Sequence, residues 1–248
     1  MPSSKKLALR RVGSFVAGIT MPLLVLSIPW GSPGAGASPK ESAKSQALAN
    51  DQKLLERIGL QSSDVPKGMQ AALDPDGTGL LDQPTLDLCG ASFPSDKLRV
   101  ARRQMDVAYK KVEVSFSSEA VLYKNASNTQ QAFTELKRVA ASCPPTFVPS
   151  VSVDIADLKT VFEPRPDTTW PSVPGVQRLA YSIVLSDTSG DTSRDTWVYL
   201  RDGRLLLGLY WNPNTTVIPI DGQTTIEGIV GIFELRLSLI EDGLATNG

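Results

Sequence analysis

Along most of the chain the apolar positions repeat with a period of either two or about three and a half, and each change of period marks a new element. Between residues 104 and 109, Met105, Val107 and Tyr109 alternate with polar partners, and Val112, Val114 and Phe116 carry the same period into residues 120–123. Both stretches read as half-buried strands. From Ser127 the period lengthens: Phe133, Leu136, Ala140 and Cys143 fall at i, i+3, i+7 and i+10, one face of a helix. Ser127 with Gln130 fits a capping box at its start, and Pro144-Pro145 stops it just after Cys143. Residues 178–185 and 196–200 are two more strands, and Asp202-Gly203 is a hairpin signal leading into residues 205–211. A second helix opens at a capping box of Thr224 and Glu227, turns Ile226, Ile229, Val230, Phe233, Leu237 and Ile240 inward, and ends at Gly243.

The remaining stretches are less regular. Val65-Pro66-Lys67-Gly68 and Asp74-Pro75-Asp76-Gly77 mark turns. Seven prolines between Pro144 and Pro174 leave residues 151–162 as either a short strand or an irregular crossing segment. Strands joined by hairpins are antiparallel, and two amphipathic helices need a sheet face to cover. The expected fold class is therefore α+β: an antiparallel β-sheet packed by two amphipathic helices.

The N-terminus follows different rules. Lys5, Lys6, Arg10 and Arg11 precede a largely apolar run from Val12 to Trp30, and Ala35-Gly36-Ala37 supplies the small residues of a cleavage site. This order predicts a signal peptide over residues 1–37 and Sec-type export. An uncleaved anchor is the rival, since a bilayer span needs about 20 apolar residues, but Pro22 and Pro29 interrupt the run. Residues 38–53 are polar and alanine-rich and read as a flexible tether, with a short helix possible over residues 52–58 and the domain occupying residues 54–248.

Charge narrows the function. Without residues 1–37 the chain holds 21 Lys and Arg against 26 Asp and Glu, a net charge of −5. That balance argues against a nucleic-acid partner. The absence of histidine removes Ser-His and Cys-His catalysis and the commonest metal ligand. A Ser-Lys dyad or carboxylate pair drawn from Ser92, Ser95, Asp96 or Lys97 has no spacing that separates it from a surface turn. Asp74 to Gly79, with Asp82, partly matches a calcium loop, but Thr85 stands where the bidentate glutamate belongs. No cofactor and no metal site is expected. Cys89 and Cys143 are the two cysteines, and an even count in an exported chain reads as one disulfide; two thiols alone complete no zinc site, and their spacing is not that of a redox pair.

Two groups remain as candidate binding residues. Trp170, Tyr181, Trp197, Tyr199, Tyr210 and Trp211 gather the aromatics in the C-terminal half, where adjacent hairpin strands would align them along a groove; core packing is the competing account. Arg99, Arg102 and Arg103 head the densest basic stretch and would form a patch for an anionic ligand, or else the guarded edge of a strand.

Leu86-Asp87-Leu88-Cys89-Gly90, Phe93-Pro94-Ser95, Arg99-Val100-Ala101-Arg102-Arg103, Ser117-Ser118-Glu119-Ala120-Val121 and Ala140-Ala141-Ser142-Cys143-Pro144 together give the chain a resemblance. It resembles the extracellular sensor-like domains of actinobacterial secreted proteins, lipoproteins and receptor serine/threonine kinases. The similarity is most specific over residues 65–145. It implies an antiparallel sheet packed by two helices around a cleft, a disulfide joining Cys89 to Cys143, and a ligand-sensing rather than catalytic role. The kinase-attached domains carry a second disulfide that two cysteines cannot make, and neither a kinase nor a lipobox is present. The expectation is a stand-alone exported ligand-binding domain of the cell envelope, whose partner is a small molecule, a lipid, an envelope polymer or an envelope protein. It would meet the membrane only through a retained signal segment. The alternatives are an envelope protein–protein interaction subunit and a histidine-independent hydrolase.

Overall fold

Leu205, Leu206, Leu207 and Leu209 are all buried, although successive residues of a strand point to opposite sides. A strand apolar on both faces needs cover on both, and this requirement organises the molecule. The computed structural model describes residues 39–245 except 81–85, 87, 90, 110–111, 144–147, 150–158, 166–167, 187–191, 212–222 and 224. The signal segment expected over residues 1–37 lies outside the described residues.

Helix α1 (Pro39–Ile58) is followed by β1 (Gln70–Leu73), a 3₁₀ turn (Pro94–Leu98), β2 (Arg99–Tyr109), β3 (Val112–Tyr123) and α2 (Ala126–Ser142). The second half holds β4 (Val148–Pro149), β5 (Lys159–Pro164), β6 (Gln177–Ser186), β7 (Thr192–Asp202), β8 (Leu205–Trp211) and α3 (Ile226–Ala245). Among the described residues the strands form one eight-stranded sheet in the order β1-β2-β3-β8-β7-β6-β5-β4, antiparallel throughout. The expected α+β class is the observed one.

The helices do not share a face. Leu55 and Ile58 of α1 and Ile226, Ile229, Val230, Phe233, Leu237 and Ile240 of α3 pack with Ala120, Leu122, Val198, Leu205, Leu207 and Leu209. On the other side Ala132, Phe133, Leu136 and Val139 of α2 pack with Val121, Tyr123, Tyr199 and Leu206. The even and odd leucines of β8 thus enter separate cores, one beneath each helical layer.

Several boundaries differ from expectation, each for a local reason. The helix at the N-terminus starts at Pro39 inside the segment expected to be a tether. Its residues 43–50 are exposed, and the run is rich in alanine, lysine and glutamine, all good helix formers. Helix α2 is capped by Asn125, whose side-chain oxygen accepts from Asn128 N–H at 2.9 Å, two residues before the expected Ser127. For α3 the Thr225 hydroxyl accepts from Gly228 N–H at 3.2 Å, the expected Thr224 lies outside the described residues, and the helix passes Gly243 to reach Ala245. The β7–β8 hairpin closes with Asp202 paired to Leu205, so the turn residues are Gly203 and Arg204. Gly203 takes φ +46° at the first of them, where a glycine is favoured. A Cβ at Gly203 would collide with the Glu241 carboxylate, which accepts the Arg204 N–H at 2.8 Å.

Cys89 and Cys143 are joined in a disulfide with a Cα–Cα distance of 6.0 Å. Cys143 is the C-cap of α2 and Cys89 lies in a turn ahead of β2, at φ 55°, so the bridge pins the end of that helix to the sheet's entry loop.

Candidate functional site

The sheet register decides which aromatics meet. Tyr181 pairs with Trp197 and Trp197 with Tyr210, while Ser117 of β3 lies beside Tyr210. Paired residues share a face, so these four form one row across β6, β7, β8 and β3. Tyr199, two residues from Trp197, stands on the same face. Trp197 and Tyr210 meet edge to face with ring centroids 5.1 Å apart, and Tyr199 and Tyr210 at 6.2 Å. This is the α2 side of the sheet, where Tyr181 and Tyr199 are buried and Trp197 and Tyr210 stay half-buried.

The other two aromatics of the expected groove are elsewhere. Trp211 pairs with Thr196 and Phe116 and packs with the opposite core. Trp170 is buried in that same core, with the guanidinium groups of Arg165 and Arg178 each 5.4 Å from its ring centre. One residue of offset along β8 is enough to send Tyr210 and Trp211 to opposite sides.

A charge pair sits beside the aromatic row. Arg102 and Glu119 are both buried, and the Arg102 Nε donates to the Glu119 carboxylate. The Tyr210 hydroxyl donates to the other Glu119 oxygen at 3.0 Å. Arg102 also donates to the Gln104 side chain at 2.5 Å and to the Asp76 carbonyl at 3.0 Å. Gly208 makes the Tyr210 contact possible: it lies between Glu119 and Tyr199 in the register, and a Cβ there would collide with the Tyr210 ring and hydroxyl. Tyr210 leans across this gap to reach the carboxylate.

The three arginines expected to form an anion patch are divided by a β-bulge between Arg99 and Ala101. Arg99 and Arg102 face the α2 side, and both are buried. Arg99 donates to the Asp96 carbonyl at 2.8 Å and to the Leu80 carbonyl at 2.5 Å. Arg103 pairs with Ala120 in the register and points to the opposite face. Internal partners and opposite directions leave no common basic surface among the three.

Ser95 and Asp74, two of the candidate polar residues, have structural partners. Ser95 is buried, and its hydroxyl and N–H donate to Glu135 of α2 at 2.7 and 3.1 Å. Burial pushes the Glu135 carboxyl up, but these two bonds and one from Gln131 outweigh it and hold the group below its ordinary range. Burial raises the neighbouring Tyr123 hydroxyl well above the usual phenol range. Asp74 closes an Asx turn on the Asp76 N–H at 2.9 Å, in a loop bonded to β2 through Asp74, Gly77 and Gln104. Among the described residues no three of His, Cys, Asp and Glu gather in a group that could hold a metal. Also among the described residues, no helix is long and apolar enough to cross a membrane.

Sequence reasoning missed the Arg102–Glu119–Tyr210 cluster. Its traces were there to read: an acid one residue before the apolar run at Ala120, and a glycine breaking the leucines of β8.

No protein-family model matches the chain, and no curated protein matches it. A solved structure with some likeness is the extracellular domain of PknH from Mycobacterium tuberculosis, 11% identical, with a TM-score of 0.49 over 77% of this chain and 96% of that one. An overlap of that size carries no inference about role, which rests on the residues themselves.

Proposed function

We propose that the chain is an exported, non-catalytic, sensor-like domain of the cell envelope that receives a ligand on the α2 side of the sheet, around Trp197 and Tyr210. The observation that carries this reading is the pairing of two half-buried aromatic rings with the buried Arg102–Glu119 pair, to which Tyr210 is hydrogen-bonded. Recognition sites commonly combine apolar rings with a few fixed polar groups. The disulfide supports export, since such bridges persist in oxidising compartments.

The treatment of buried acids supports a non-catalytic role. Glu119 is held by Arg102, Glu234 by Arg178 and the Val173 N–H, Asp64 by Arg236 and the Gln61 N–H, and Glu135 by Ser95. Each carboxylate is held by groups of the fold itself, whereas a catalytic acid needs a poised and accessible proton. Tryptophan fluorescence titrated with envelope lipids and glycan fragments tests the proposal. One ligand class should shift the emission, and Tyr210→Ala should abolish that shift. Emission that ignores every lipid and glycan would contradict it.

A second reading, an interaction subunit, draws on Leu235 and Leu239, one turn apart on α3 and 53% and 63% exposed. Light scattering of Leu239→Glu beside the parent would detect a self-associating face.

A further inference from the structure

A cleft of about 520 Å³ opens on the opposite side of the sheet from Trp197, between the end of α1, the segment after it, the edge strand β1 and its neighbour β2. Helix α1 lies over β2 and β3, and the sheet continues one strand further to β1. Leu73 pairs with Met105 in the register and is 44% exposed, an apolar side chain left open at the edge. Leu60, Ala71, Leu73 and Met105 give the cleft its apolar lining.

Its charge is unlike that of the rest of the domain. Its lining holds two cations, Arg57 and Arg103, and one acid, Glu56, a positive excess in a chain that is acidic from residue 38 onward. The Arg103 guanidinium is weakly engaged. Among the described residues its charged partner is Glu56, 62% exposed and 3.6 Å away, and its buried Nε has no hydrogen-bond acceptor. Exposed pairs of that kind are worth little, and an unsatisfied buried donor is costly. A carboxylate offers the planar pair of acceptors that a guanidinium matches.

We propose that this cleft binds a single-chain amphiphile with a carboxylate head, the head on Arg103 and Arg57 and the chain along Leu60, Leu73 and Met105. The site is separate from the aromatic face and does not depend on it. The volume lies within the usual range for small-molecule sites, roughly 300 to 1,000 Å³.

The test is calorimetry on the oxidised protein with dodecanoate below its micelle concentration, with acetate, and with a neutral dodecyl glycoside. Dodecanoate should bind at micromolar Kd, with the other two at least tenfold weaker. Arg103→Gln and Leu73→Asp should each weaken dodecanoate at least tenfold, whereas Trp197→Ala should leave it within twofold. Leu73 is exposed, so Leu73→Asp tests the site without emptying a core. The proposal is overturned if dodecanoate does not bind, if the neutral amphiphile binds as well, if acetate alone accounts for the affinity, or if both cleft variants bind like the parent. A loss in Trp197→Ala equal to that in Arg103→Gln would also overturn it, by placing the ligand on the aromatic face.

Discussion

Glu119 shows how much one side chain can organise. It is buried on a central strand, which is tolerable because Arg102 neutralises it and Tyr210 fills a second acceptor position. Removing one partner of a buried pair strands the other, so Glu119→Gln should destabilise the fold by about 3 to 5 kcal/mol in chemical denaturation. Tyr210→Phe leaves the pair intact and deletes one hydrogen bond, for a loss of about 1 kcal/mol. Gly208→Ala should cost more than Tyr210→Phe, because the added methyl displaces the whole ring. If Gly208→Ala melts like the parent, Tyr210 does not depend on that gap. Arg102 was legible as a basic residue of a strand, and its burial was not. Alternation gives a residue's face, but the bulge after Arg99 reset the alternation, and nothing local announces a bulge.

At the scale of elements the periods served well. The strands around Met105, Phe116, Arg178, Trp197 and Leu205 and the helices through Phe133 and Phe233 are where their spacing put them. What the periods lacked was the side of the sheet. Two amphipathic helices fit one face or two, and the sign favouring two was Leu205-Leu206-Leu207 at successive positions of β8, apolar on both faces and needing cover above and below. The edge strand β1 was missed because four residues bearing two alanines show no convincing alternation.

The helix anchors are expected to respond to pH in opposite directions. Glu135, which joins α2 to the 3₁₀ turn, ionises below its ordinary range in the fold. Its contribution is full above the unfolded value, near pH 4 to 5, and is lost as pH falls through the lower folded value. Glu241, which joins α3 to the β7–β8 turn, is raised mainly by burial. Its contribution is full below the unfolded value and is lost as pH rises through the folded one. Thermal melts from pH 3 to 7 should therefore show Ser95→Ala losing most near neutrality, by about 1 to 3 kcal/mol. Glu241→Gln keeps an acceptor for the Arg204 N–H and should be at least as stable as the parent at pH 7, with no advantage at pH 3. A Glu241→Gln protein less stable at pH 7 would show that the charge itself holds the turn.

For the molecule as a whole, the disulfide closes a 54-residue separation that contains β2, β3 and all of α2. In the chain-entropy account such a loop is worth about 4 kcal/mol, or roughly 10 °C in a domain of this size. Cys143→Ser should show that drop in calorimetry, and an unchanged melt on reduction would mean that the bridge contributes nothing. The pairing was readable from a count of two cysteines, and the place of Cys143 at the end of α2 from the proline pair after it. The aromatic row is not legible as a unit in the sequence, because distant strands contribute its members. Ser117, Tyr181, Trp197 and Tyr210 span almost a hundred positions and meet only through the register.

The central claim, that this fold holds a ligand against Trp197 and Tyr210 without transforming it, is tested most directly by native mass spectrometry of protein purified from the envelope of its own cells. The account predicts an added mass on the parent, unchanged on storage, that is lost from Trp197→Ala and retained by Arg103→Gln. Bare protein in every preparation, or a bound mass that converts to a smaller product with time, would contradict it.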